Sequence, residues 1–542
     1  MEVVAMIRQP AGGSGNGSRL LDEQIDFNGT QNRRRTYLID AYGSVTFGEI
    51  AAKVGSFAAA LASFGVGRGD IVSFQLPNRT EAAVVYFATL RLGAIANPIV
   101  PIYREKELAF ILAQARPKVL VVPQTFRGID YPELAHSAGR ASGIRPQLVV
   151  VDGHDDASTG DRGFRSCLGH PAAPGVAERS PDDLAVLLYT SGTTAAPKGV
   201  LHSHATLLFE CEAIRRHAEL TGRDIILMPS PVTHVTGLLY GIELPMLLGA
   251  RGVLQETWDA RQAVDLVLAH GCTFTAGATP FLHGMVSECR ARNIDLAPLQ
   301  TFLCGGADIP ANLIADADRQ LAGTVLRAFG LSEMPTATCG SPQDPEKLRW
   351  ETEGRPMASV SARVRGTDGV AQTVGTGELE LRGGELFIGY LDSRLDAAAF
   401  TSDGWFRTGD LAEIDGNGHV SIRGRVKDVI VRGGENISAR EVEDALHEHP
   451  AVRDVAIVGY PDDVMGQRAC AFVVPSGDGV DLAELSRHLL AFGIARQKFP
   501  ERLILVDALP KTPSGKVQKQ KLRDAVPGVS PAVAGRQSTA GS

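Results

Sequence analysis

Phe47, Ile50, Val54, Phe57, Leu61 and Phe64 are spaced by alternating steps of three and four, which predicts a helix over 47–64 with one apolar face. Thr46, with Glu49 three residues on, supplies the capping box that starts it. The period then changes: Ile71 to Leu76 is a short β-rich run, a helical segment begins at Thr80, and Val119 to Val122, Leu148 to Val151 and Leu184 to Tyr189 form buried-strand patterns. Strands that alternate with helices predict an α/β fold built on largely parallel sheets.

The pattern is different beyond residue 424. There "GRVKDVIVRGGENISAREVEDALHEHP" offers a basic turn, a strand, a Gly-Gly loop and a helix. Ser438 and Glu441 form a second capping box, and Ile437 can staple onto Val442. The runs Val455 to Val458, Ala469 to Val474 and Leu503 to Val506, with a helix near Leu482 to Phe492, complete a unit of about a hundred residues, large enough to fold as a domain. The expected division is therefore residues 1–424 and 425–542, with the junction at Arg425 to Lys427. The first twenty residues and the tail from Pro527 to Ser542 are rich in Gly, Ser and Pro and predict disorder.

Composition narrows the function. The chain has 542 residues, 44% of them hydrophobic and 21% charged, with a formal net charge of −8, so it is a globular protein without the basic excess of a nucleic-acid or anionic-membrane binder. Its seven cysteines are scattered and never in C-x-x-C spacing, which fits neither a disulfide framework nor a zinc site and points to a reducing cytosol. No signal-peptide pattern occurs, and the apolar run Gly237 to Ala250 is short and broken by Glu243.

The strand pattern ending at Tyr189 feeds "YTSGTTAAPKGV", residues 189–200, a loop of small and hydroxyl side chains with one lysine. Backbone N–H groups in such a turn form an anion nest, hydroxyls add donors and Lys198 adds a mobile charge, so phosphate is the natural ligand. It is not a Walker A motif, because Lys198 is followed by Gly199 and Val200 rather than by Ser or Thr. A solvated hydroxyl-rich loop has the same composition. His202 and His204 lie two apart with no third ligand nearby in sequence, too little for a metal site.

What separates these readings is order. The loop is followed by "AFGLSEM" (328–334), "GWFRTGD" (404–410), "GRVKD" (424–428), "GGENIS" (433–438) and "LPKTPSGK" (509–516). In this order the motifs resemble the adenylate-forming superfamily of acyl-CoA synthetases, luciferases and peptide-synthetase adenylation domains, over roughly residues 35–522. "GATPFL", "FLCGGADIP" and "VRGGENISAREVEDAL" look most like short- and medium-chain or alicyclic acyl-CoA ligases. The resemblance implies a large N-terminal domain of parallel-type sheets flanked by helices and a small, mobile C-terminal α+β domain.

It also implies roles. Thr190, Ser191, Gly192, Thr193, Thr194 and Lys198 match the phosphate loop of ATP, and Ala195 departs from the family's usual glycine. Ser332 stands where the family usually has Thr, beside Gly330, and Glu333 matches the Mg2+ carboxylate. Phe329 matches the residue that stacks on adenine, and Gly305, Gly306 and Ala307 its backbone contacts. Asp410 and Arg425 match the ribose contacts, although singly Phe329 could be core, Asp410 a turn residue and Arg425 a surface charge. His234 matches a gate near the acyl carboxylate; a structural histidine is the other reading.

Lys427 matches the hinge about which the family's small domain turns, bringing Lys516 to the site for adenylation and then Gly433, Gly434, Glu435 and Asn436 to a tunnel for the pantetheine arm of coenzyme A. The implied reaction joins a short- or medium-chain, alicyclic or aromatic carboxylic acid to CoA through an acyl-adenylate, releasing AMP and pyrophosphate. Delivery to a carrier-protein pantetheine, oxidation as in luciferases, and a non-catalytic nucleotide-binding scaffold are the alternatives. Small residues at Gly237, Gly277, Ala278 and Gly305, beside apolar Leu238, Phe281 and Met334, predict room for a compact apolar acid. A cytoplasmic enzyme, open to homodimer formation, is expected.

Overall fold

The computed structural model describes residues 20–171, 178–190, 197–306, 309, 311–432, 435–462, 464–477, 479–512 and 516–526. The termini expected to be disordered therefore lie outside it, apart from Leu20. The chain divides into two compact units, Met1–Thr408 with Glu413–Ser421, and Gly409–Ala412 with Ile422–Ser542.

Two large sheets organise the first unit. In the nine-stranded sheet, Thr36–Asp40, Arg251–Leu254, Ile225–Met228, Phe274–Gly277, Thr301–Gly305 and Thr324–Leu331 are parallel neighbours. The eight-stranded sheet has a parallel run of Leu184–Thr190, Ile95–Pro98, Ile71–Phe74, Val119–Pro123 and Gln147–Val151. Helices bury their apolar faces on these strands. Helix Thr279–Arg292 places Leu282, Met285 and Val286 in one core with Leu227, Val253 and Phe302, and helix Glu105–Ala115 places Leu108, Ile111 and Leu112 in another with Leu120 and Leu148. At about 0.8 kcal/mol per buried CH2, such contacts dominate the favourable side of folding. In a smaller sheet, Val360–Arg365 runs antiparallel to both Ala371–Gln372 and Gly375–Gly383. The chain passes to the second unit within Phe406–Ile414 and Val420–Arg425.

The second unit packs helix Ala439–His447 and helix Leu482–Ala491 on a sheet centred on the long antiparallel pair Val452–Asp462 and Gly466–Pro475, with Arg502–Leu505 parallel to the latter. Ile437, Val442, Leu446, Ile457 and Leu485 share its core.

Local signals in the sequence map closely onto these elements. The first amphipathic helix runs Phe47–Ser63, with both capping-box hydrogen bonds between Thr46 and Glu49. The second capping box is only half formed. Ser438 Oγ accepts from Glu441 N–H at 3.3 Å, but the Glu441 carboxylate is taken by Lys498 Nζ at 2.7 Å instead of returning to the Ser438 backbone. A charged partner outcompetes a backbone amide for a half-exposed carboxylate.

Candidate functional site

The loop that opened the chemical question joins two antiparallel strands, Leu184–Thr190 and Lys198–Ser203, with Thr190 opposite Lys198. Ser191, Gly192, Thr193, Thr194 and Ala195 lie outside the described residues, as do Ala307, Gly433, Gly434 and the side chains of Glu435 and Asn436. Lys198 holds its ammonium 4.9 Å from the centre of the Tyr390 ring. Tyr390 belongs to a short strand, Gly389–Tyr390, on the far side of Lys198–Ser203, with Tyr390 opposite Val200.

The same tyrosine reaches across to the acidic motif. Ser332 and Glu333 form the two-residue turn between strands Thr324–Leu331 and Met334–Cys339, where Leu331 pairs with Met334. Tyr390 Oη donates to Glu333 Oε1 at 2.7 Å, and the Glu333 carbonyl accepts from Phe387 N–H at 2.8 Å. Burial and the Glu333 charge push the Tyr390 phenol well above its usual range, so it serves as a donor at neutral pH.

His202 holds the other half of the turn. Its Nε2 lies 2.7 Å from the Ser332 carbonyl and its Nδ1 3.0 Å from Thr206 Oγ1. Burial drives its pKa down to about 4, so the ring is neutral, and only the tautomer with the proton on Nε2 meets a carbonyl. His204 is buried too, its pKa lowered to about 4 by burial and by the Arg179 charge. Among the described residues no cluster of three His, Cys, Asp or Glu could hold a metal.

Tyr390 and the role of His202 escaped sequence reasoning. Tyr390 stands 57 positions from the carboxylate it binds, so no local spacing reveals it; the hint was an aromatic beside Gly389. His202 was weighed only as a metal ligand, and its bond to residue 332 spans 130 positions.

The remaining predicted residues of this unit sit at the carboxyl ends of the parallel strands, where α/β folds bind ligands. Gly305 ends its strand opposite Ala328, the neighbour of half-buried Phe329. Gly306 has φ +82° with open space beside it, and it is here that glycine is needed. Gly330 marks a bulge where a Cβ would lie 1.8 Å from the Pro335 carbonyl. Half-buried His234 precedes the short helix Val235–Leu238, beyond the end of strand Ile225–Met228.

One expectation fails. Gly237, Gly277 and Gly305 do not leave space for a substrate, because a Cβ there would lie 2.0 Å from the Pro231 carbonyl, 2.7 Å from the Phe281 ring and 2.7 Å from the Ala328 carbonyl. They are small so that backbone and ring can approach, and Leu238 and Met334 are fully buried.

In the second unit Arg425 Nε lies 3.2 Å from Asp410 Oδ1. Partial desolvation and then the Arg425 charge lower the Lys427 ammonium to about 8, with Arg523 adding to the effect. Lys516 is half-buried; its backbone N–H donates to Thr512 Oγ1 at 3.1 Å, and its carbonyl accepts from Thr512 N–H at 2.7 Å.

A lysine beside a hydroxyl-rich strand turn, a carboxylate fixed at the next sheet and an Asp–Arg pair are the parts from which nucleotide sites are made. Residues 25–391 match the model of the AMP-binding enzymes and residues 441–516 that of the AMP-binding enzyme C-terminal domain. The chain belongs to the AMP-binding enzyme family. It is 33% identical to the medium-chain fatty-acid–CoA ligase of Escherichia coli K12 over 493 residues, 90% of this chain and 87% of that protein. It is 31% identical to the sulfoacetate–CoA ligase of Cupriavidus necator, covering 90% and 94%. The ATP-bound MatB of Rhodopseudomonas palustris superposes with a TM-score of 0.83 at 26% identity, over 93% of this chain and 98% of that one. As a member of this adenylate-forming superfamily, the chain is an ATP-using, AMP-forming acid–thiol ligase. No helix among the described residues is long and apolar enough to cross a membrane, and all seven cysteines are buried and free.

The donor set also fits a hard cation. Glu333 Oε1 is occupied by Tyr390, whereas Oε2 receives no hydrogen bond from the described residues, leaving one carboxylate oxygen for a metal whose other ligands come from water and phosphate.

Proposed function

We propose that the protein activates a short- or medium-chain, alicyclic or aromatic carboxylic acid with ATP and Mg2+ and transfers the acyl group to free coenzyme A. The observation that carries this reading is the shared use of Tyr390 by Lys198 and Glu333, which ties a cation and a carboxylate of the two motifs to one side chain. Mg2+ bound at Glu333 would neutralise charge on the phosphates. Lys198 and the hydroxyls of Thr190, Ser191, Thr193, Thr194 and Ser332 would hold the phosphates, Phe329 would stack on adenine, and Asp410 would accept the ribose hydroxyls with Arg425 beside it. The acid's carboxylate attacks the α-phosphorus, pyrophosphate leaves, and the thiol of CoA then displaces AMP from the mixed anhydride. His234 would border the carboxylate's entry. Lys427 would be the hinge, Lys516 the lysine of the adenylating orientation, and residues 433–436 the pantetheine tunnel. A cytosolic place agrees with seven free cysteines.

The relative that acts on medium-chain fatty acids supports an apolar substrate, and full-length similarity to CoA ligases supports CoA as acceptor. AMP release measured over a panel of acids, with and without CoA, tests the reading. CoA-dependent turnover of short- or medium-chain, alicyclic or aromatic acids is expected. Preference for long chains or charged amino acids would overturn the substrate class, product without CoA would overturn the acceptor, and no turnover with any acid would return the scaffold alternative.

A further inference from the structure

At the amino ends of three parallel strands, where the chain enters the nine-stranded sheet at Thr36, Ile225 and Arg251, a cavity of about 260 Å³ is lined by Arg34, Arg35, Arg223, Arg251 and Asp224. Gly305 and Phe329 lie toward the opposite, carboxyl ends of this sheet. Strands of four or five residues separate the two ends by roughly 13 Å or more.

The charge in this cavity is only partly compensated from within. Arg35 donates to the Gly222 carbonyl and to Asn32 Oδ1, both neutral. Arg34, Arg223 and Arg251 form no ion pair among the described residues, and Arg251 Nε is buried with no acceptor. Asp224 offsets one of these charges but forms no ion pair with any of the four. Its Oδ2 accepts from Thr221 N–H at 2.7 Å and its Oδ1 from Thr273 Oγ1 at 2.8 Å. Four arginines and one aspartate thus line one cavity in a chain whose formal net charge is −8, three of the arginines exposed. Like charges around one cavity repel, and an anion placed among them relieves that repulsion. Guanidinium forks match phosphate oxygens two at a time, and several forks around one cavity favour a multiply charged phosphate over a single carboxylate.

We propose that this cavity binds a phosphate-bearing anion, at a site separate from the nucleotide-binding ends of the same sheet. Calorimetric titration of the full-length enzyme with inorganic phosphate, pyrophosphate and adenosine 3′,5′-bisphosphate tests it, alongside Arg34→Glu, Arg251→Met and Lys198→Ala. Beside any binding at the nucleotide site, a saturable site is expected that either arginine substitution and raised salt weaken on the order of tenfold and that Lys198→Ala keeps. Arg34 is exposed, so Arg34→Glu should melt and turn over like wild type, separating lost binding from lost folding. The tightest of the three ligands identifies the source of the phosphate. Binding of none of them, equal affinity in wild type and both arginine variants, or loss only in Lys198→Ala would overturn the proposal.

Discussion

Tyr390 Oη donates to Glu333 Oε1 over 2.7 Å, so the proposed metal-binding carboxylate is held by a residue whose ring also lies beside Lys198, the proposed phosphate-binding lysine. Removing the hydroxyl separates the two roles. Tyr390→Phe keeps the ring beneath Lys198 but frees Glu333, and a hydrogen bond to a charged group contributes about 2 kcal/mol. If its loss falls on the transition state, adenylation slows roughly thirtyfold. Tyr390→Leu loses both contacts and should be slower still. Pyrophosphate exchange measured against Mg2+ concentration checks this: the Phe variant should need more Mg2+, and an unchanged Mg2+ dependence would show that the bond does not orient the metal ligand.

A neutral His202 fixes the carbonyl of Ser332, and His202→Ala leaves that carbonyl without its buried donor. A weaker grip on ATP and a loss of about 1–3 kcal/mol of stability are expected. Gln can still donate from its amide, so His202→Gln should recover part of the rate. The depressed pKa adds a pH signature. Because His202 and His204 fall from the usual 6.5 to about 4 on folding, their contribution is fully present above pH 6.5 and is lost as pH falls toward 4. Melting temperature should therefore drop over that window, less steeply in His202→Gln. An identical slope would mean His202 titrates normally.

Elements whose signal is local were legible in the sequence. Helix Phe47–Ser63 announces itself through its apolar spacing and cap, and the strand Leu184–Thr190 through an apolar run. The site was legible only as an ordered series of motifs, each motif short and local. What stayed hidden depends on pairing between distant strands: Gly389–Tyr390 docks on Lys198–Ser203 and so delivers a hydroxyl to Glu333. The glycines misled for a related reason, since sequence shows that a side chain is absent but not whether ligand or backbone fills the space.

Two buried acids should set the alkaline side of stability. Burial raises Glu210 and Glu243 from 4.5 to about 8. Tyr240 bridges Glu210 to Thr336 Oγ1, and Tyr86 and Cys211 contact Glu243. A folded state that holds these protons while the unfolded chain has released them loses stability as pH rises from about 4.5 to 8. Glu210→Gln keeps the shape without the titration. Its melting temperature should exceed that of wild type at pH 8.5 and approach it at pH 5.5, whereas a constant difference at both would show that Glu210 does not titrate in this range.

Lys516 offers the sharpest test of the proposed domain movement. As an ordinary half-buried basic residue followed by "VQKQK", it would matter little when replaced. If instead it bridges the attacking carboxylate and the α-phosphate in the adenylating orientation alone, Lys516→Ala removes an interaction made in that transition state and should slow adenylation by orders of magnitude. Thioester formation would be spared, because the lysine has then left the site. The two half-reactions are separable with synthetic acyl-AMP. Given acyl-AMP and CoA, the variant should make thioester at close to the normal rate, while with ATP and free acid it should fail. Equal damage to both halves would mean a lysine that serves throughout or a misfolded domain, which a melting curve distinguishes, and no damage to either would leave Lys516 an ordinary surface charge.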